Sequence, residues 1–243
     1  MNSPVTAAPG VKRSVVVTGV ARPGQLGEIV ARAFATAGDR VSVVGRSLAD
    51  TTARAADMRA RGLDVHPFAA DLADPVATVA LAADVVAAAG RVDVLVNVAG
   101  GFAMSGPVAE SDPAVWQQQL AINLGTAYAT TRAFLPALRT ARGAVVFVAS
   151  AAALPAARVK NMAAYAIAKN GVLTLMRAIA QEERAYGVRA NAVAPGTIRT
   201  HDNVASMPAD TRFVEPESIA GAIVFLSSAD AAQITGQVVE LTP

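Results

Sequence analysis

The sequence contains no cysteine and few charges, and each shortage excludes a class of protein. Without cysteine, disulfide bonds, thiolate nucleophiles and cysteine metal ligands are excluded. Only 16% of the 243 residues are charged and 53% are apolar, which excludes an intrinsically disordered chain. No stretch approaches the roughly 20 strongly apolar residues of a membrane span. We expect a soluble, cytoplasmic protein.

The charges are also nearly balanced, with 21 basic and 19 acidic residues. Because lysines and arginines form no long run, neither a nucleic-acid surface nor an anionic-membrane surface is predicted. The two histidines, His66 and His201, have no second ligand at metal-binding spacing, so no metal site is predicted.

Short β-branched apolar runs alternate with longer alanine-rich segments along the chain. Strands that are apolar on both faces and separated by helices indicate a parallel sheet with helices on both sides. We predict one α/β domain over residues 13–243, preceded by a flexible extension over residues 1–12. The predicted strands are Ser14–Thr18, Arg40–Val44, Val65–Ala70, Val92–Val96, Ala144–Val148, Val188–Val193 and Gln237–Leu241.

Helical patterns fill the intervals between these strands. The longest is expected to bend at Pro136, because proline lacks the N–H of a helical hydrogen bond. The stretch between Ala194 and Glu215 has no clear periodicity, and long loops of this kind tend to be functional. The predicted helices are Glu28–Ala37, Leu48–Arg61, Pro75–Ala89, Pro113–Thr140, Ala163–Tyr186 and Glu217–Ser227.

A glycine-rich loop follows the first predicted strand and contains Gly19, Gly24 and Gly27. Glycines at a strand-to-helix turn let the backbone approach a pyrophosphate at the helix N-terminus. Their spacing does not fit G-x-G-x-x-G, so a tight turn that needs positive φ is the alternative interpretation. The position after the first strand favours dinucleotide binding.

The end of the second strand bears on the choice of cofactor. NAD enzymes usually place a carboxylate there for the ribose 2′-hydroxyl, whereas this chain has Gly45 and Arg46. Arg46, helped by Arg22 of the glycine loop, is suited to hold the 2′-phosphate of NADP. A solvated loop arginine is the alternative. We therefore predict NADP(H) as the preferred cofactor and NAD(H) as the second choice.

Tyr165 and Lys169 lie one turn apart in a predicted helix, so both side chains point from one face. A phenol with a pKa near 10 is a poor acid at neutral pH, and a neighbouring ammonium is expected to lower that pKa. Ser150, after the fifth strand, is suited to donate a hydrogen bond to a carbonyl oxygen that gains negative charge as hydride arrives.

These motifs, in this order, resemble the short-chain dehydrogenase/reductase superfamily over nearly the whole chain. The resemblance implies a Rossmann-like, doubly wound α/β fold with a sheet of about seven parallel strands. It also implies a nicotinamide cofactor and a small-molecule carbonyl or alcohol substrate. The motifs that carry it are Asp71, Asn97-Val-Ala-Gly100, Ile122-Asn-Leu-Gly125, Ser150, Tyr165-Ala-Ile-Ala-Lys169 and Asn191-Ala-Val-Ala-Pro-Gly-Thr-Ile-Arg-Thr200.

The resemblance implies a catalytic set of Asn123, Ser150, Tyr165 and Lys169. Tyr165 would give the proton, Lys169 would also hold the nicotinamide ribose, and Asn123 would hold a water of the proton relay. An asparagine that caps a kinked helix is the alternative for Asn123. The implied cofactor contacts are Gly19, Arg22, Gln25, Leu26, Gly27, Arg46, Asp71, Leu72, Asn97, Ala99, Gly100, Tyr165, Lys169, Pro195, Gly196, Ile198 and Thr200.

The glycine loop departs from the family pattern and is similar to that of a divergent enoyl-reductase branch. A C=C or C=N reductase is therefore one alternative, and a non-catalytic NADP-binding regulatory protein is another. The short interval between Tyr165 and Lys169 favours carbonyl reduction. Relatives pair their two long helices between subunits, so we expect a homotetramer or a homodimer.

Overall fold

The computed structural model describes residues 12–243, so the predicted N-terminal extension lies outside the described residues except for Lys12. The described residues contain a seven-stranded sheet in the order β3-β2-β1-β4-β5-β6-β7, and every neighbouring pair is parallel. This confirms the predicted Rossmann-like α/β class. The strands are β1 Ser14–Thr18, β2 Arg40–Gly45, β3 Val65–Ala69, β4 Val94–Asn97, β5 Ala144–Val148, β6 Arg189–Pro195 and β7 Val238–Leu241.

Helices cover both faces of the sheet because the central strands are apolar on both sides. In β1, Val15 and Val17 belong to one apolar core and Val16 to the other, as the alternation of side chains along a strand requires. The helices are α1 Leu26–Thr36, α2 Leu48–Arg59, α3 Pro75–Ala89, α4 Pro113–Gln119, α5 Thr126–Ala141, α6 Ala163–Glu182, α7 His201–Ser206 and α8 Pro216–Ser227.

The capping residues explain where several helices begin and end. Ser47 caps α2 by accepting the backbone N–H of Asp50, and Asp74 caps α3 with Pro75 in the first turn. Gly90 ends α3 in the left-handed conformation with φ of 78°, which a residue with a Cβ rarely adopts.

The long helix predicted over Pro113–Thr140 is interrupted between α4 and α5, whereas α5 runs through Pro136 unbroken. Leu120–Gly125 forms a π-helical segment instead. Within it, the Asn123 side-chain amide donates to the Gln119 carbonyl at 3.0 Å. A side chain that takes this carbonyl competes with the regular backbone hydrogen bond, which accounts for the irregular turn.

The strand order reverses between β1 and β4, and this point positions the functional site. In an open parallel sheet, a crevice forms there outside the carboxyl ends of the strands. The stretch after β6, which lacked periodicity, folds over this edge and contains the short helix α7. Thr200 caps α7 by accepting the backbone N–H of Asn203 at 3.3 Å.

Gly27, in the first turn of α1, lies against the first glycine of the loop. A Cβ on Gly27 would lie 2.4 Å from the carbonyl oxygen of Gly19, whereas a Cβ on Gly221 in α8 would meet nothing within 4 Å. We predict that Gly27→Ala lowers the melting temperature because the backbone must shift. Gly221→Ala should keep or raise it, since alanine is favoured over glycine in a helix by roughly 0.5–1 kcal/mol. Equal melting temperatures for the two variants in thermal unfolding would contradict this close approach.

Candidate active site

A cleft of about 580 Å³ lies where the strand order reverses. The glycine loop, the end of β5, the start of α6 and the segment after β6 line it. Most of the predicted site residues meet here. Those that line the cleft are Gly19, Gln25, Leu26, Gly27, Gly100, Ser150, Tyr165, Lys169, Pro195, Gly196, Ile198 and Thr200.

A second cavity, of about 600 Å³, lies between α1 and α2. Two of its arginines are paired with acids, Arg32 with Glu28 and Arg54 with Asp57. The serine, tyrosine and lysine of the predicted catalytic set do not border it. The first cleft is therefore the candidate active site.

Lys169 is buried at the floor of the cleft, with only 5% of its surface exposed. Its Nζ donates a hydrogen bond of 2.9 Å to the carbonyl of Val148 at the end of β5. Burial lowers the pKa of Lys169 to about 8, because the ammonium loses its hydration. This lysine can therefore change its charge close to neutral pH.

The ring of Tyr165 lies between Lys169 and Phe102. The Nζ of Lys169 is 5.9 Å from the tyrosine ring centroid, and the Phe102 ring meets it edge-on at 5.0 Å. Burial raises the pKa of Tyr165, while the hydroxyl of Ser150 acts against this. The predicted lowering of the tyrosine pKa is wrong here, because the loss of hydration outweighs the favourable contacts. The neutral phenol, which is the proton-donating form, is favoured.

Ser150 caps the short turn Ala151–Ala153 that follows β5. Its Oγ accepts the backbone N–H of Ala152 at 3.2 Å, so the hydroxyl hydrogen is left to donate elsewhere. The turn thus fixes the serine oxygen beside the tyrosine hydroxyl.

Asn123 lies behind the cleft rather than in its lining and is 1% exposed. Its Nδ2 donates to the Gly101 carbonyl at 2.9 Å, and its Oδ1 accepts the Gly101 N–H at 3.2 Å. A Cβ on Gly100 would lie 2.5 Å from this Oδ1 and 3.4 Å from the Nζ of Lys169. The asparagine side chain therefore holds the loop after β4, in addition to its contact with the irregular helical turn that the structural alternative suggested. Its role in a water relay stays a prediction.

Comparisons with known proteins agree with this geometry. The family model for short chain dehydrogenases matches residues 13–211. A D-threitol dehydrogenase of Mycolicibacterium smegmatis is 36% identical over 234 residues, which cover 91% of this chain and 88% of that protein. The chain belongs to the short-chain dehydrogenase family.

Two further relatives extend over the same length. A galactitol 2-dehydrogenase of Rhizobium johnstonii is 32% identical, over 93% of this chain and 92% of that protein. The crystal structure of a short chain dehydrogenase from Mycobacterium smegmatis matches with a TM-score of 0.83 and 31% identity, over 94% of this chain and 91% of that one. The predicted activity, NAD(P)-dependent oxidoreduction between carbonyls and alcohols, is confirmed at the level of this family.

The glycine loop of this short-chain dehydrogenase fits a dinucleotide. Gly19 has φ of 75°, and a Cβ on it would lie 2.8 Å from the Ala99 backbone nitrogen. The loop therefore has no room for a side chain at the place where the backbone borders the cleft. The first turn of α1 follows at once, and its positive end favours a pyrophosphate.

Several predicted cofactor residues support the cleft without lining it. Asn97 is buried and donates to Thr131 at 2.9 Å, and Ala99 donates its backbone N–H to Thr18 Oγ1 at 3.1 Å. Leu72 is buried in an apolar core, while Asp71 is exposed and accepts the Ala73 N–H. Their contacts with a bound nucleotide stay predictions.

Thr18 was not among the predicted site residues, yet its hydroxyl joins the carboxyl ends of β1 and β4. Its Oγ1 donates to the Val96 carbonyl at 3.3 Å and accepts the N–H groups of Val98 and Ala99. The sequence did contain a signal for this role, because Thr18 directly follows a run of valines at the end of the first predicted strand.

The two arginines that were predicted to hold a 2′-phosphate differ in their surroundings. Arg46 is exposed, and no hydrogen bond or ion pair engages its side chain within residues 12–243. Arg22 instead pairs with Asp202 of α7 at 3.0 Å, and Gln25 donates to the same carboxylate at 3.3 Å. Arg22 is thus already engaged by a carboxylate, whereas Arg46 is not.

Within residues 12–243, no group of three or more histidine, aspartate or glutamate side chains could hold a metal ion. Among the same residues, no helix is both long and apolar enough to cross a bilayer.

The lowered pKa of Lys169 has a consequence for stability. Between pH 8 and 10 the unfolded chain, with a lysine pKa near 10.4, still binds a proton that the folded protein has released. Wild type should therefore gain stability over Lys169→Met as pH rises, by at most about 1.4 kcal/mol per pH unit.

Denaturant unfolding of the cofactor-free protein across this pH range measures the difference. Lys160→Met, at an exposed lysine, is the matched control and should follow the wild-type curve. Parallel curves for wild type and Lys169→Met would contradict the burial of a titrating lysine.

Proposed function

We propose that this short-chain dehydrogenase reduces a ketone or aldehyde to an alcohol, or catalyses the reverse reaction, with NADP(H) preferred. One observation carries the proposal: Ser150, Tyr165 and Lys169 border one cleft, beside a glycine loop that has no room for a side chain at Gly19 or Gly27. A binding module has no need of a serine, a tyrosine and a buried lysine at the same place.

Ser150 and Tyr165 would act on the substrate oxygen. The serine donates its hydroxyl hydrogen to this oxygen, which fixes the carbonyl and stabilises its developing charge. The neutral Tyr165 then transfers its proton to the same oxygen as general acid. A nicotinamide held in the cleft would supply the hydride for the carbonyl carbon. In the reverse direction the deprotonated Tyr165 accepts the alcohol proton and becomes the neutral phenol.

Lys169 would support this proton transfer in two ways. With a pKa of about 8, its ammonium form is available near neutral pH and stabilises the tyrosinate that proton transfer leaves behind. The Val148 carbonyl takes one of its N–H groups and fixes the head group, so the others can bond a cofactor ribose hydroxyl. Asn123 keeps the loop at Gly101 in place behind this lysine.

Two alternatives also bind the cofactor. One reduces a different kind of bond, and the other catalyses no reaction. A C=C or C=N reductase is suggested by the long glycine loop, and a non-catalytic NADP-binding protein by the fold alone. Measuring NADPH oxidation against ketones, enones and imines separates the three. Carbonyl reduction is favoured because the serine hydroxyl and the tyrosine hydroxyl lie side by side, where one oxygen can meet both.

The assembly and the location stay predictions. Tyr128 on α5 and Ile167 on α6 are half exposed, which supports pairing of these helices in a homodimer or homotetramer. A cytoplasmic location rests on the cysteine-free sequence.

Tyr165→Phe tests the proton donor. The variant keeps the ring against Phe102 but removes the hydroxyl, so kcat for ketone reduction should fall by roughly 100-fold or more. The Kd for NADPH should change little in a fluorescence titration. Lys169→Ala should lower both kcat and the affinity for NADPH. Retention of most activity by Tyr165→Phe would contradict the assignment.

Arg46 tests the cofactor preference. A charge-assisted hydrogen bond contributes about 1.5–3 kcal/mol, less at an exposed site, so Arg46→Gln should weaken NADP⁺ binding by about 10-fold. NAD⁺ binding should not change, and the effect should shrink at high salt. Arg61→Gln, at an exposed arginine after α2, is the matched control. Equal affinities of wild type for NAD⁺ and NADP⁺ at low salt would contradict the role of Arg46.

The substitution is confined to Arg46 because its neighbour tolerates no side chain. A Cβ on Gly45 would lie 2.4 Å from the carbonyl oxygen of Val20. An aspartate introduced at Gly45 to favour NAD would therefore displace the backbone of the glycine loop. Its effect on cofactor affinity would then combine the change of charge with this displacement.

A further inference from the structure

The substrate side of the cleft is largely apolar and carries one arginine. Phe102, Met162 and Met207 line it together with Arg158. The side chain of Arg158 is exposed, and within residues 12–243 it has neither a hydrogen-bond acceptor nor a carboxylate at ion-pair distance. An arginine without a partner at the edge of an apolar pocket is suited to bind an anion from solution.

The other charges of the cleft are already engaged. Asp202 accepts Arg22 at 3.0 Å and Gln25 at 3.3 Å, and within residues 12–243 it forms no ion pair with Arg158. Lys169 is held on the Val148 carbonyl. The uncompensated charge near the substrate is therefore positive, which favours a negative ligand.

The backbone that carries Arg158 is held at both ends. Asn170 of α6 donates its Nδ2 to the Ala153 carbonyl at 3.1 Å. At the other end, Asn161 has φ of 63° and its carbonyl accepts the N–H groups of Ser105 at 2.8 Å and Gly106 at 3.1 Å. Asparagine adopts this left-handed conformation more readily than most residues, and the two hydrogen bonds to its carbonyl hold it there. Arg158 thus lies on a segment anchored beside the pocket.

We propose that Arg158 binds a carboxylate of the substrate and that this enzyme reduces keto acids whose two polar ends are separated by apolar carbons. The planar guanidinium matches a carboxylate through two parallel hydrogen bonds. Phe102, Met162 and Met207 pack against the carbons between the carboxylate and the carbonyl that meets Ser150. These side chains offer no donors for a substrate with many hydroxyls. The inference rests on the proposed carbonyl reduction and adds the class of substrate.

The experiment compares acids with their uncharged esters. NADPH oxidation is measured with acetoacetate and levulinate and with the methyl ester of each. Wild type should prefer the acids in kcat/KM by about 10-fold or more, and this preference should fall as ionic strength rises. Arg158→Gln should raise KM for the acids by about 10-fold, with kcat and the ester kinetics unchanged. Arg158→Lys should restore part of the acid preference.

Lys160→Gln is the matched control, because this exposed lysine is two residues away and does not line the cleft. It should keep the wild-type preference. If wild type reduces esters as well as acids and Arg158→Gln changes neither, the inference is overturned while carbonyl reduction stands.

A binding measurement separates failure of the inference from failure of the proposed function. Levulinate is titrated calorimetrically into the protein with NADP⁺ present, so no turnover occurs. Weaker binding to Arg158→Gln than to wild type supports the carboxylate site even if none of these ketones is reduced. Equal binding, or no binding to either protein, overturns the site.

Discussion

The hydrogen bond from the buried Lys169 amine to the Val148 carbonyl is the contact on which the arrangement of the site depends. It fixes a cationic group at the carboxyl end of β5, in a position where the loss of hydration brings its pKa to about 8. Tyr165, one turn earlier on α6, is thereby brought beside Ser150. The absence of a side chain at Gly100 leaves the space that the lysine head group and Asn123 occupy.

The surrounding fold can hold this lysine because neighbouring elements are joined by buried polar contacts. The Thr18 hydroxyl connects the ends of β1 and β4, and the Asn123 amide connects the π-helical segment to the loop at Gly101. Each contact satisfies backbone groups that would otherwise be buried without partners, which is costly. The same contacts keep the glycine loop, the substrate pocket and the lysine in one fixed arrangement.

The order of the strands and the sheet class were predictable, because buried valine runs and their order determine a parallel sheet and its switch point. The family motifs pointed to many, but not all, of the residues that line the cleft. The helix interruption at Leu120–Gly125 was not predictable, since the apolar pattern continues through it and Asn123 finds its partner only once the loop at Gly101 is in place. The direction of the Tyr165 pKa required its burial, and the Arg22–Asp202 pair joins positions far apart in sequence. Arg158 lies in a segment without periodicity, so its position at the pocket could not be read from a pattern.

Transfer of deuterium tests the central claim, carbonyl reduction in this cleft, most directly. The protein is incubated with NADPH that carries deuterium at the transferable position and with a ketone that it consumes, and the product is analysed by mass spectrometry and NMR. The account predicts one deuterium, bound to the carbon that carried the carbonyl, in an alcohol of a single configuration. An unlabelled product, or deuterium on a carbon of a reduced C=C bond with the carbonyl intact, would contradict it.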